Sequence, residues 1–174
     1  MITPASLESE WLGNLRRKAR RTARELTGSM LLEMREGPDE AFFTTLELSP
    51  YRFLKRYTLL RYHAPLLAFA WQQAVLATHP GKAALLFRLL DQGMPGGRRE
   101  VARWRNDLTF FHTITDQFEE VGFMSVALHV VQRVHGEVER RPDNLVWAVG
   151  LSLWLDERYQ RFLDPLGQTE IGTG

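Results

Sequence analysis

The sequence predicts an all-α fold, a single-domain bundle of about five to seven helices. It places a long basic amphipathic helix first and two apolar helices at the centre. Three observations support this prediction. Apolar residues recur at steps of three and four along most of the chain, proline and glycine clusters separate these segments, and no sustained alternation of apolar and polar residues supports a sheet. With 174 residues, 44% of them hydrophobic, the chain suits one core. We expect one domain over residues 1–166 and a loose tail over residues 167–174.

The first helix is predicted from its start signals and its apolar stripe. Thr3 or Ser6 can cap it, and Pro4 suits its opening turn. The apolar positions that follow share helical spacing and are Leu7, Trp11, Leu15, Ala19, Ala23, Leu26 and Met30. The segment EGPDEAFFTTLEL then ends the helix. Residues 41–48 fit either a short helix or an extended piece.

Breaker residues divide the rest of the chain. Ser-Pro at 49–50 starts a helix over residues 51–78, which Pro65 should kink or split. A short helix over 82–93 and the loop MPGG precede a helix over 98–118, which resumes beyond Gly122 to about residue 138. The turn RRPDN leads into a last helix ending near residue 163. Residues 123–134 and 145–155 are apolar on almost every side, which predicts either two central helices or a face for a partner.

Composition excludes several classes of function. The chain has no cysteine, so it has no disulfide, thiolate nucleophile or cysteine metal site, and its net charge of +1 gives no overall attraction to nucleic acid or anionic lipid. Phosphate-loop, dinucleotide and hydrolase-elbow motifs are missing. The N-terminus lacks the features of an export signal, and residues 62–81 are too rich in His, Gln and Pro for a bilayer segment. We therefore predict a cytoplasmic protein without a transmembrane segment.

A polar stripe crosses the apolar segment GFMSVALHVVQRVHG. Ser125, His129 and Gln132 lie on one side of the predicted helix, together with the flanking glycines. One interpretation is a buried histidine that hydrogen-bonds to a neighbouring helix. The other is a pocket that these three side chains share with His63, next to the break at Pro65, and that would hold a small molecule, heme or a metal.

His112 and Asp116 form a second candidate site. They are four residues apart and can meet on a helix, which is compatible with metal binding or acid–base chemistry. They flank the apolar face, however, and this position favours an exposed polar network. The chain has no H-E-x-x-H or Glu-x-x-His metal motif.

A basic segment lies on the first helix. Six basic residues precede the acid Glu25, namely Arg16, Arg17, Lys18, Arg20, Arg21 and Arg24. They form either a solvated face or a surface for an acidic partner or phosphates. Nucleic-acid binding usually adds aromatic residues for base stacking, and Trp11 is the only aromatic on this helix.

The leading hypothesis from the sequence is a non-catalytic protein that binds another protein or a second copy of itself, as an adaptor, regulator or accessory subunit. The basic segment is the expected contact, and no cofactor is expected. The first alternative is a ligand-binding protein, or an enzyme, with a heme, metal or small molecule in a pocket around His129. Nucleic-acid binding through the first helix is the second alternative.

Overall fold

The computed structural model describes residues 4–118, 122–136 and 143–171, and the side chains of these residues except those at 4–12, 15 and 118. Within this part of the chain the structure has seven α-helices and no strand, which confirms the predicted all-α bundle. The helices are α1 (Pro4–Glu36), α2 (Glu40–Thr44), α3 (Phe53–Thr78), α4 (Ala83–Gly93), α5 (Arg98–Phe118), α6 (Met124–His135) and α7 (Asp143–Gly167).

Helix α3 forms the centre of the bundle. Ten consecutive residues, 63–72, are buried, and α3 contacts α1, α4, α5, α6 and α7. It runs without interruption through Pro65, so the proline does not split the helix as one alternative predicted. None of the described helices is both long enough and apolar enough to cross a bilayer.

Three contacts fix the direction of the helices around α3. Near its start, Lys55 Nζ lies 3.0 Å from His135 Nδ1, and the His135 ring stacks on Trp147 of α7 with centroids 3.8 Å apart. Just beyond its end, His79 Nε2 donates to the Leu166 carbonyl oxygen at 2.8 Å. Helices α3 and α7 are therefore parallel. Helix α6 runs antiparallel to both, because its last residue lies where they begin.

Helix α1 packs through the predicted stripe. It lies against α4 and α3, and Ala19, Ala23 and Met30 are buried there. Leu26 is half-buried, whereas the side chains of Leu7, Trp11 and Leu15 lie outside the described part. The helix continues for nearly two more turns beyond Met30, to Glu36.

Residues 37–49 form a short helix followed by a turn, which settles the choice left open by the sequence. Gly37, with φ of 76°, ends α1. The Asp39 carboxylate caps α2 by accepting from the Phe42 backbone N–H at 3.1 Å. The buried side chains of this segment are Phe42, Phe43, Leu46 and Leu48.

Glycine separates α5 from α6, as predicted. Gly122 has φ of 124°, a value that disfavours other residues, and α6 begins two residues later. Helix α6 ends at His135, and the predicted extension to residue 138 and most of the RRPDN turn lie outside the described residues. Asn144 Nδ2 donates to the Gly136 carbonyl at 2.7 Å, which ties the end of α6 to the start of α7.

Helix α7 extends four residues beyond its predicted end, to Gly167, with Pro165 in its last turn. Beyond it, Ile171 is buried and belongs to the core. Residues 145–155 are not covered on every side, which corrects the first of the two alternatives predicted for them, a central helix. The exposed face of this helix carries four large apolar residues, here called the α7 stripe, Leu145, Val146, Val149 and Leu153.

Substitution of Gly150 tests the close approach of α7 to the turn after α2. A Cβ atom at Gly150 would lie 2.9 Å from the Thr45 carbonyl oxygen. We expect Gly150→Ala to lower the free energy of unfolding by about 1–3 kcal/mol, because the backbone must shift to remove the clash. Denaturant unfolding measures the change.

Gly28→Ala in α1 is the matched control. Nothing lies within 4 Å of the added Cβ, so the alanine should stabilise the helix by about 0.5–1 kcal/mol. An equal gain in stability at both positions would contradict the packing described here.

Candidate functional site

The end of α1, the turn after it, α3 and α7 line a polar cavity of about 400 Å³ that is open to solvent. We call it the His63 cavity. Its lining residues are Ser29, Leu32, Glu33, Glu36, Gly37, Asp39, His63, Trp154, Arg158 and Arg161. His63 lies at the inner wall, 5% exposed, with its ring edge-on to Phe42 at 5.0 Å between centroids and 5.9 Å from Trp154.

Burial shifts the pKa of two groups in this cavity. Burial lowers the pKa of His63 to about 4, although the nearby Asp39 carboxylate acts in the opposite direction. The imidazole is therefore neutral at neutral pH. Burial also raises the pKa of Glu33, with a further rise from Glu36 and a decrease from Arg161.

Arg158 connects the helices that form the cavity. Its Nη1 lies 3.5 Å from Glu33 Oε1 on α1, and its Nη2 lies 3.9 Å from Asp39 Oδ2 at the cap of α2. Its guanidinium carbon is 5.1 Å from the centroid of the Trp154 ring, and the side chain is 13% exposed. Arg158 is therefore part of the wall and already engaged with protein groups.

A second cavity of about 310 Å³ lies on the other side of the turn at 37–38. It shares His63 and Gly37 with the His63 cavity, and its far wall includes Glu100 and Trp104 from α5. The turn therefore lies between two openings that both reach His63.

The structure places His129 in aromatic surroundings. It is half-buried, with its ring 4.5 Å from Phe110, 6.3 Å from Phe111 and 6.4 Å from Tyr62 between centroids. Burial lowers its pKa, with a smaller contribution from Arg133. No described residue forms a hydrogen bond with His129.

His63 and His129 belong to different surroundings. Tyr62, which faces His129, precedes His63 in α3, and consecutive helical residues point about 100° apart. The rings that contact His63 are those of Phe42 and Trp154. Ser125 and Gln132 are half-buried on α6, the helix of His129.

His112 has hydrogen bonds at both ring nitrogens. Its Nε2 donates to Gln72 Oε1 at 2.7 Å, and its Nδ1 accepts from Gln73 Nε2 at 3.3 Å. This arrangement fits the neutral ring, and burial lowers the pKa of His112 against the opposing effect of Asp116. Asp116 is exposed, and it lines a surface cavity of about 550 Å³ together with His112. In the described part of the chain, no group of three or more His, Asp or Glu residues is placed to hold a metal ion.

The basic segment of α1 is exposed, with all six predicted residues in contact with solvent. Arg21 pairs with Glu25 at 3.0 Å, and Arg17 donates to the Asn14 side chain. The other arginines, Arg16, Arg20 and Arg24, lie four residues apart on one side of the helix and form no ion pair with a described side chain.

A further surface was not singled out from the sequence. Five large apolar residues at the start of α3 are exposed, and four of them are 63–87% exposed. We call this set, Tyr51, Phe53, Leu54, Tyr57 and Leu60, the α3 patch. A groove of about 550 Å³ lies at its first three residues, Tyr51, Phe53 and Leu54, and is also lined by Arg52 and Lys55. Aromatic stripes are usually core, but the interspersed basic residues were a signal that part of this helix faces water.

The pH dependence of stability tests the burial of neutral His63. Because its folded pKa lies below its ordinary value of 6.5, the unfolded chain binds the proton first as the pH falls. The stabilisation is complete above pH 6.5 and is lost between there and about pH 4. Between about pH 7.5 and about pH 4.5, we expect the wild-type protein to lose about 2 kcal/mol more unfolding free energy than His63→Gln does. Urea titrations of both proteins measure this difference, and a difference independent of pH would refute it.

Comparison with protein-family models, with curated proteins and with solved structures gives no match, so the comparisons assign this chain to no family.

Proposed function

We propose that the protein acts by binding another protein through the α3 patch, as an adaptor, regulator or accessory subunit. The observation that carries the proposal is the exposure of Tyr51, Phe53, Leu54 and Tyr57, at 63–87%, within two turns of chain. Contiguous apolar surface of this kind is uncommon on monomers and usually marks an interaction site.

The residue types of the α3 patch also support a protein interface. Tyrosine, phenylalanine and arginine are enriched in such interfaces, and tyrosine and arginine are frequent hot spots. The patch stands on a helix whose inner face is held in the core by Leu59 and the residues after it. Because the backbone is already ordered, binding would require little further loss of conformational entropy.

The basic residues beside the α3 patch indicate the charge expected on the partner. Arg52 and Arg61 are exposed near the patch and form no ion pair with a described side chain. Arg56 is already paired with Glu40, at 2.6 Å. The positive charges at the border favour a partner segment with an apolar face and acidic flanks. The basic segment of α1 has the same sign and would attract the same partner at longer range.

Site-specific photo-cross-linking tests the proposed contact. With p-benzoylphenylalanine in place of Leu54, irradiation in the native cell should produce one defined protein adduct, because Leu54 lies in the middle of the patch. The purified partner should then bind the wild-type protein at least about tenfold more tightly than the Leu54→Arg variant, which buries a charge in the interface.

Leu153 in the α7 stripe is the matched control, with the same residue type and 66% exposure. Photo-reactive substitution there should not give the same adduct, and Leu153→Arg should leave the affinity unchanged. The proposal is wrong if position 54 gives no protein adduct. It is also wrong if Leu54→Arg abolishes binding to phosphatidylserine vesicles and no protein partner is found.

Charge reversal tests the contribution of the basic segment. In Arg16→Glu/Arg20→Glu/Arg24→Glu, we expect the association rate constant for the same partner to fall about tenfold at about 50 mM salt and less at about 200 mM. The dissociation rate constant should change little. Surface plasmon resonance at both salt concentrations gives these constants. Unchanged association would exclude steering by this segment, and tight binding of the wild-type protein to RNA or DNA with a steep salt dependence would favour the nucleic-acid alternative.

A further inference from the structure

We propose that the His63 cavity binds a small organic amine in its ammonium form. The proposal rests on one juxtaposition, a buried histidine without a partner beside three carboxylates that outnumber the arginines near them. It is independent of the α3 patch.

The first observation is the state of His63. It is 5% exposed, and no described residue forms a hydrogen bond with it. A buried polar group normally has a partner, because its desolvation is otherwise uncompensated. Neither of its ring nitrogens is among the buried atoms sealed from solvent without a partner, and the residue lines both the His63 cavity and the second cavity beside it. The imidazole is thus a hydrogen-bonding group with no partner except what enters the cavity.

The second observation is the balance of charge. The cavity is lined by three carboxylates, of Glu33, Glu36 and Asp39, and by two guanidinium groups. Arg158 is already shared between two of the carboxylates. Glu36 forms no ion pair with a described side chain. A cationic ligand would balance this excess of negative charge.

The residues that line the cavity favour an organic cation over a metal ion. The described part of the chain offers no group of three His, Asp and Glu residues arranged for a metal ion, which favours an organic cation. An ammonium group, unlike a metal ion, can leave some of its N–H donors to water, so the carboxylates of Glu33 and Glu36 and the neutral ring of His63 need not converge on one point to accept from it. The ring of Trp154 offers an apolar surface for the alkyl part. A phosphate ester or a dicarboxylate would add negative charge to a wall in which three carboxylates already outnumber two guanidinium groups.

A matched set of four-carbon probes tests the proposal. The probes are n-butylammonium, butyrate, 4-aminobutyrate and n-butanol, which share a four-carbon skeleton and differ in charge. We expect n-butylammonium to bind at least about tenfold more tightly than butyrate or n-butanol, because of these three only the ammonium cation is attracted by the carboxylates of the cavity. NMR titration gives the affinities, and the ring signals of His63 should shift on binding. Tighter binding of butyrate, or no binding of n-butylammonium, would overturn the proposal.

Two variants locate the binding. Glu36→Gln removes one charge at the exposed rim and should weaken n-butylammonium binding at least about fivefold. Glu47→Gln, at an exposed residue outside the cavity, is the control and should have no effect. His63→Gln should also weaken binding, and Glu36→Gln alone decides the question if that variant does not fold. Binding that is unaffected by Glu36→Gln would place the amine elsewhere and refute the site.

Discussion

The rest of the structure depends on the burial of helix α3. Ten consecutive residues of this helix are covered, so neighbours must pack against it on every side. Helices α1, α4, α5, α6 and α7 supply that cover. An ordinary surface helix needs cover on one face only, whereas α3 requires a ring of helices around it. The short connections follow from this arrangement, since successive helices have to return to the same centre.

The burial of α3 also determines where polar groups need partners. Gln72 belongs to the buried segment, and His112 of α5 satisfies it with a hydrogen bond of 2.7 Å. His63 belongs to the same segment, but no described side chain satisfies it. Gln72 has its partner on the neighbouring helix α5, whereas His63 lies at the wall of the His63 cavity.

Local patterns in the sequence were enough to predict the helices. The stripe through Ala19, Ala23 and Met30 predicted the buried side of α1, and Gly122 predicted the break between α5 and α6. Residues 41–48 could not be assigned, because the spacing of the apolar residues Phe42, Leu46 and Leu48 fits both a helix and an extended strand. The Asp39 cap and the turn at Gly37 decide for a helix, through a backbone geometry that composition alone does not give.

The candidate sites were harder to predict because they depend on tertiary contacts. His63 was identified from its position next to Pro65, but its grouping with His129 followed from residue type and not from direction. Consecutive residues on α3 point to different neighbours, and this separates the two histidines. The α3 patch was not predicted, since a sequence shows which residues are apolar but not where a helix emerges from its bundle.

The continuity of α3 through Pro65 has a mechanical consequence. Leu54 on the surface and His63 at the cavity lie nine residues apart on one uninterrupted helix, a distance of roughly 14 Å along its axis. A helix is stiff along its length, so a displacement of its exposed end is transmitted to its buried segment. Any coupling between the two positions must be reciprocal. A molecule that favours one position of α3 in the cavity would change the affinity at the surface by the same factor as surface binding changes the affinity in the cavity.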